Sequence, residues 1–575
     1  MSLPFVLGQI PTASDFNSLV VASTLSATNG AGLIGGGGQF VNNMAALRAL
    51  SKTAVSTAVF TLGYYAAGDA GASGPFYYDP NDTTSSENGV TIIVGNDGAR
   101  YKLAYSGVLN AAQGGAKYDG VTDAVPFINN IATVLTGGGT IRITGKCLID
   151  SAITLPSGVA LQGDRQFVGT LGVNNTQGSK SDTARGCLII NSTVTVSFSG
   201  SSGVRNLLVL RKGMTFPAAD TSLYAGTAFT GIGDDYFVVE CLIIGFNKTV
   251  YSTNVQRPRI QNVNFDGING VEVANCADIS HINECHAWPF GTISGTSTVA
   301  SNLRTGTAYY FHDLGDWNKV SNCFSYGYKV GFQVTNCNSM TLLSCSTDGN
   351  FPNATPGMTG FLVSGTSNDT RLHSCQAAAQ DLGFQINTNA NLHTSIIGGN
   401  LWSNASHNAI VAAGDATFIG VTSRDTAYGF SVANATSKVQ IEACRTSGIS
   451  SAPILNNNST PYLYVGDNDY GDFTGNAVVS GTTPIVAIAS ATTVAIPSSG
   501  KVFSITGTVA ISALNGFFTG REITLVFSAA TTVVTGAVSP NGILLNGNAN
   551  FVTAANSALT LMYQGDHWIE VGRKA

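Results

Sequence analysis

Carboxylates, histidines and aromatic rings gather between residues 262 and 348 of a chain in which only 10% of residues are charged. Glu284, His286 and Trp288 alternate along one short run, as do Asn262, Asn264 and Asp266 in the run before. Asn322, Phe324 and Tyr326, then Ser344, Ser346 and Asp348, take the same places further on. Alternation by two puts such residues on one face of a strand, and here that face is expected to point outward. A second group, YYFHDLGDW from Tyr309 to Trp317, sets His312, Asp313, Asp316 and Trp317 around a Gly turn. Aromatic faces take the C–H side of a sugar ring, while carboxylates and amides take its hydroxyls. Hydrolysis of a glycosidic bond needs one carboxylic acid to protonate the leaving oxygen and a second carboxylate opposite, at ~5–5.5 Å for retention or ~6.5–9.5 Å for inversion. The pair is expected from among Glu284, Asp313, Asp316 and Asp348, with Asp266, His286, Trp288, His312, Trp317 and Tyr326 holding the sugar.

Other chemistries stay open at this point. β-Elimination from a uronate needs a base and a cation for the carboxylate, which His286, His312, Arg304 and Arg371 could supply. An esterase is disfavoured, because no G-x-S-x-G elbow is present. Asp313 and Asp316 also fit a plainer role. Aligned runs carry Asn275, Asn336 and Asn434, or Asp278, at those places, and such turn side chains bond the nearby backbone. No metal-ligand spacing is present, so neither a metal nor a cofactor is expected.

These residues are positioned by a repeat. Short apolar runs end on Cys241, Val263, Cys285, Cys323, Cys345, Cys375, Gly399, Val421 and Cys444, most of them roughly 22 residues apart. Two longer steps read as the same step with insertions of about 16 and about 8 residues, the longer lying near Gly291–Gly306. A second phrase recurs between them: GVEV at Gly270, GFQV at Gly331, GFLV at Gly360, GFQI at Gly383 and GFSV at Gly429. Each unit holds two or three short β runs and no helical periodicity. That is one coil of a parallel β-helix, whose coils bury their inner faces only against their neighbours.

Cysteines that share one repeat position must stack inside the coil, where a thiol acts as a small hydrophobe. All ten cysteines are therefore expected reduced, in a protein folded in a reducing cytosol. The net charge of −6 excludes the basic face that nucleic acid requires. No apolar run is long enough to span a membrane, and no charged-then-apolar leader follows Met1.

The remaining segments bracket the coils. Residues 1–40, rich in Gly, Ala and Ser, are expected to be a flexible attachment peptide. Residues 41–107 form a small mixed module, with a helix over Asn42–Leu50 and strands in VFTLGYY, GPFYYDP, GVTIIV and RYKLAY. The coils are expected over 108–470, capped by a helix after Asp123 whose stripe is Val125, Ile128, Ile131, Ala132 and Leu135. Residues 471–575 are expected to form a β-rich module. Its dense Val, Ile and Phe suit an interface between copies, with an independent sugar-binding sandwich as the alternative.

The phrase Gly-Ala-Lys-x-Asp-Gly-x-x-Asp at Gly115–Asp123, with the helix and coils after it, resembles the pectate-lyase-like right-handed parallel β-helix superfamily. Preceded by FTLGYY…PFYYDP near Phe60–Pro80, and followed by VFSITGT, GREITLVF and LTLMYQGDHWIEV, it resembles bacteriophage tailspike proteins more narrowly. The resemblance implies an all-β homotrimer on a virion tail, joined through the N-terminus, with a C-terminal β module that trimerises. It implies binding to a bacterial surface polysaccharide and usually its cleavage, by hydrolysis or by a lyase reaction. A non-catalytic adhesin on the same fold is the alternative.

Overall fold

The computed structural model describes residues 38–54, 58–164, 186–292, 302–349, 356–457, 463–475, 477–480, 486–497, 501–515, 518–536, 538–539 and 541–575. The proposed attachment peptide therefore lies, up to residue 37, outside the described residues, as does most of the long insertion. The chain packs as two units. One comprises Met1–Ala218, Ser222–Tyr251 and Arg259–Phe265; the other comprises Ala219–Thr221, Ser252–Pro258 and Asp266–Ala575.

The first unit opens with strands β1 (Gly38–Val41), β2 (Ala58–Thr61), β3 (Ser73–Tyr78), β4 (Ile92–Val94) and β5 (Arg100–Leu103) in the order β1-β2-β3-β5-β4. Helix α1 (Met44–Ala49) starts where the Asn43 side chain accepts the Ala46 N–H at 2.8 Å, the usual N-cap bond. Helix α2 (Val125–Val134) carries the expected stripe, with Ile128 and Ile131 fully buried. Asp123 does not cap it from the usual position. Ala124 stands there, and Asp123 Oδ1 accepts the Val125 and Asp150 amides, both at 3.1 Å. The helix lies close against the first coil, since a Cβ on Gly139 would meet Leu135 Cδ2 at 2.9 Å. Coils follow in parallel register, with Gly139–Ile143 beside Val159–Gly163 and that strand beside Gly203–Arg205. No strand here needs polar alternation on both sides, because one face turns into the coil.

In the second unit the coils from His281 to Ala413 have three strands each, and beyond them Thr422–Val432 and Arg445–Asn456 run the second and third lines together. The first line runs His281–Asn283, Lys319–Ser321, Thr341–Leu343, Thr370–His373, His393–Ile397, Asp415–Ile419, Val439–Glu442 and Leu463–Val465, each parallel to the next. The second runs His286–Ala287, Phe324–Tyr326, Ser346–Asp348, Gln376–Ala378 and Asn400–Trp402. The third runs Arg304–His312, Tyr328–Thr335, Thr359–Gly365, Leu382–Thr388 and His407–Ala413. The recurring GF phrase stacks rings along the axis of the third line. Tyr309 and Phe332 lie 4.6 Å apart and 6° from parallel, and Phe332 and Phe361 lie 4.8 Å apart. Such stacks add ~0.5–1.5 kcal/mol per pair beyond burial.

The coil turns on single residues. Glu284, Asn322, Ser344, Ser374 and Ala443, each just before the inward cysteine, have φ between 52° and 56°. Asn275, Asp313 and Asn336 close the third line with φ of 50°, 56° and 55°. Asn and Asp tolerate this left-handed region because their short side chains bond locally, which explains their density here.

All ten cysteines are free and buried. Burial pushes the Cys241 thiol up to about 12 and raises Cys444 as well. Native protein is therefore expected to show no reaction with a thiol reagent and ten equivalents once denatured. A melting temperature lowered by reductant would contradict the reduced column.

The terminal module has one mixed sheet of eight strands, from Val486–Ala489 to His567–Lys574, and a two-stranded sheet. Its apolar residues divide between a core of its own and an exposed set that includes Val509, Phe518 and Val552. Phe503, Ile505, Leu525, Leu561 and Trp568 fill the module's own core, and Trp568 Nε1 donates to the Leu514 carbonyl at 3.1 Å. Strand alternation supplies one apolar face per strand, and here the sheet consumes it itself.

Candidate active site

The second strand line brings four of the expected residues together. His286 stands beside Phe324 and Ala287 beside Ser325 across neighbouring coils. The next residues outward, Trp288 and Tyr326, place their rings 4.5 Å apart. His286 meets Phe324 edge-on at 5.1 Å and Trp288 at 5.7 Å. Tyr326 is in turn the register partner of Asp348. The column then continues through Ala378 and Trp402 to Arg424. Aromatic plates thus stand on both sides of one carboxylate, with a small alanine leaving space beside it.

Asp348 is the one candidate acid whose environment weakens its acidity. Burial beside these rings pushes its carboxyl up to about 6, although the Gly349 amide pulls the other way. Its Oδ1 is enclosed and accepts no hydrogen bond among the described residues. The Tyr326 hydroxyl is raised too, first by its own burial and then by the Asp348 charge. A carboxyl of this kind holds its proton near neutrality and can give it to a leaving oxygen.

Asp266 departs from its expected role. It follows Val263 by three residues, as Trp288 follows Cys285, yet it is 0% exposed. Arg304 Nε and Nη2 donate to its Oδ1 at 2.9 and 2.7 Å, and the Gly291 amide donates to its Oδ2 at 2.6 Å. Arg304 Nη2 also reaches Thr292 Oγ1 at 2.8 Å. Both described ends of the long insertion therefore close over Asp266. It ties down the segment beside Trp288 and Phe290, and solvent does not reach it. Arg304, weighed above as a cation for a uronate, is consumed in the same clamp.

The other carboxylates stay apart. Glu284 is an exposed corner residue, four residues and two coils from Asp348, roughly 13 Å along the strand and 10 Å across. Asp313 occupies another corner, where its Oδ2 pairs with His312 Nδ1 at 2.8 Å and its Oδ1 accepts Asn336 Nδ2 at 3.0 Å. His312 first, and Asn336 second, hold the Asp313 carboxyl below its usual range. Asp316 bridges to Asp278, as the alignment suggested, and accepts Asn338 Nδ2 at 2.6 Å. Trp317 sits in a corner with φ 62° and is 66% exposed. His312 stacks on Tyr310 at 4.5 Å and lies 3.5 Å from Glu272, making a separate polar cluster on the third strand line. Both carboxylates bond neighbouring side chains rather than the nearby backbone that the plainer reading named.

Sequence reading passed over three residues on this surface. Trp402 lies under the Arg424 guanidinium, 5.3 Å from its ring centre, and both stand in the Asp348 column. Asp381 follows Ala378, the register partner of Asp348, by three residues. Its Oδ2 accepts the Gly357 amide at 2.9 Å and its Oδ1 the Ser406 hydroxyl at 2.5 Å. The column rule that found Trp288, Tyr326 and Asp348 reaches Trp402 when carried two coils past Asp348.

Residues 40–106 match the phage tail protein small four-stranded β-sheet domain, the region where the sequence resemblance began. The chain is also similar to solved β-helix structures. Tailspike protein 2 from Escherichia coli O157:H7 bacteriophage CAB120 is 12% identical with a TM-score of 0.45, over 97% of this chain and 74% of that one. The tailspike protein of Acinetobacter baumannii bacteriophage Fri1, described as a capsular polysaccharide depolymerase, is 14% identical with a TM-score of 0.35, over 93% and 91%. The mannuronan C-5 epimerase A-module of Azotobacter vinelandii is 15% identical with a TM-score of 0.38, over 65% and 100%.

Proposed function

We propose that this chain is a bacteriophage tailspike that binds a bacterial surface polysaccharide and cuts it within the chain by glycoside hydrolysis. The phage tail domain at 40–106 and the stacked coils support the setting. The observation that carries the chemistry is Asp348, an acid with its proton held up to about 6, set in a column of aromatic plates. Asp348 protonates the leaving oxygen. Trp288, Tyr326 and Trp402 take sugar faces along the column, and His286 orders the Trp288 ring. Asp381 is the carboxylate opposite. It lies one coil and three residues from Asp348, past the corner at Ala379, roughly 5 Å across and up to roughly 10 Å along the chain. Within the same reading the chain works as a homotrimer and joins the virion tail through residues 1–40, which run directly into the phage tail domain.

The test is purified protein on surface polysaccharides from candidate hosts, following chain length and the ultraviolet absorbance of unsaturated ends. Shortening without absorbance is expected. Shortening with absorbance would replace hydrolysis by elimination, and binding without shortening on a susceptible host would leave an adhesin. Trp288→Ala is expected to raise KM about tenfold, ~1.4 kcal/mol of binding, with a smaller change in kcat. An unchanged KM would take Trp288 out of the sugar path.

A further inference from the structure

A groove of about 710 Å³ lies away from the Asp348 column, between the outer face of the first strand line and the terminal module. Its size is that of a pocket for a small ligand. One wall is a ladder in strict register, Thr417 beside Gln440 and Gln440 beside Tyr464, all half-buried and facing out. The other wall comes from the terminal module and carries Lys501 and Phe518. Phe518 is 63% exposed, a large apolar surface left open by a module that buries Phe503, Phe527, Phe551, Tyr563 and Trp568. Lys438 enters from the ladder side. Its Nζ is 3.3 Å from Asn391 Oδ1 and 4.0 Å from Asp415 Oδ2, a loose hold on an exposed ammonium. Lys501 makes no ion pair among the described residues. Arg521 is spoken for by the Pro497 carbonyl, and Asp415 and Glu522 are the carboxylates of the lining.

We propose that this groove is a second, non-catalytic saccharide site, and that it takes an acidic sugar chain. Tyr464 and Phe518 take ring faces. Thr417 and Gln440 take hydroxyls. Lys438 and Lys501 meet the sugar carboxylates, an attraction that added salt weakens. The site stands on its own residues and does not depend on whether the Asp348 column cuts.

The test uses the full chain in native gels containing polygalacturonate, polysialate or neutral dextran. Retardation by at least one acidic polymer and not by dextran is expected, decreasing as salt is added. Lys501→Glu and Phe518→Ala should each weaken it about tenfold, ~1.4 kcal/mol. Both side chains are exposed, so these variants fold as the parent does. Asp348→Asn should leave retardation intact. No retardation by either acidic polymer, or equal retardation by dextran, would overturn the proposal. So would retardation that survives both groove variants, or that Trp288→Ala removes while the groove variants do not.

Discussion

Asp348→Asn is expected to abolish cleavage and, at neutral pH, to make the protein more stable. Loss of a general acid costs roughly 10²–10⁴ in rate. The stability gain follows from the same burial that raises this carboxyl to about 6. Well below the ordinary carboxylate range the group is protonated in both folded and unfolded chains, and it costs nothing. As pH rises, the unfolded chain ionises first, and the folded state loses stability until the folded group has ionised too, above about 6. Moving a carboxyl that far is worth up to ~3 kcal/mol, and partial exposure reduces this to ~1–3 kcal/mol. Asn never ionises. The melting temperatures of the two proteins should therefore coincide near pH 3 and separate in favour of Asn between about pH 4 and 7. Cleavage by the parent should decline on the alkaline side of about pH 6, as the acid loses its proton. Glu284→Gln, at an exposed corner, serves as the control and should change neither quantity. An Asn variant no more stable than the parent at pH 7.5 would sink the buried-acid assignment, and full activity would sink its role.

Asp266→Asn should be the most damaging single change to stability in this region. Asp266 and Arg304 are both enclosed, and the guanidinium donates to the carboxylate through two nitrogens. Removing one partner leaves a buried charge uncompensated, which costs roughly 3–5 kcal/mol. Replacing both with apolar residues of similar volume, Asp266→Leu with Arg304→Met, should recover much of that loss. Recovery stays incomplete, because the Gly291 amide and the Thr292 hydroxyl lose their partners too. Denaturant titration of the two variants reads this directly, and hydrogen exchange at residues 286–292 should rise in Asp266→Asn, with the Gly291 amide exposed in the double variant as well. A cost below about 1 kcal/mol would mean the pair is not enclosed as described.

The coils were legible because one position, the inward cysteine, repeats through the chain and needs no knowledge of its neighbours. Asp266 shows where that reasoning stops. Alternation tells which side of a strand a residue leaves from, but not what folds over it, and its cover is an arginine 38 residues later. Glu284 fails differently. Asn262, Asn275, Asn322 and Asn336 advertise left-handed corners, but a glutamate at the same place reads as chemistry until its φ of 56° is seen. The weakened acidity of Asp348 was not legible at all, since it is set by burial in the folded chain.

The one-residue corners have a consequence for survival outside the cell. A protease must draw several consecutive residues into an extended strand in its own cleft, and it finds them in loops. Between Ser321 and Phe324, or between Leu343 and Ser346, the chain passes from one hydrogen-bonded strand to the next with two residues between. Nothing there can be pulled out without unzipping a coil from both of its neighbours. Attack is confined to the longer connections between strands.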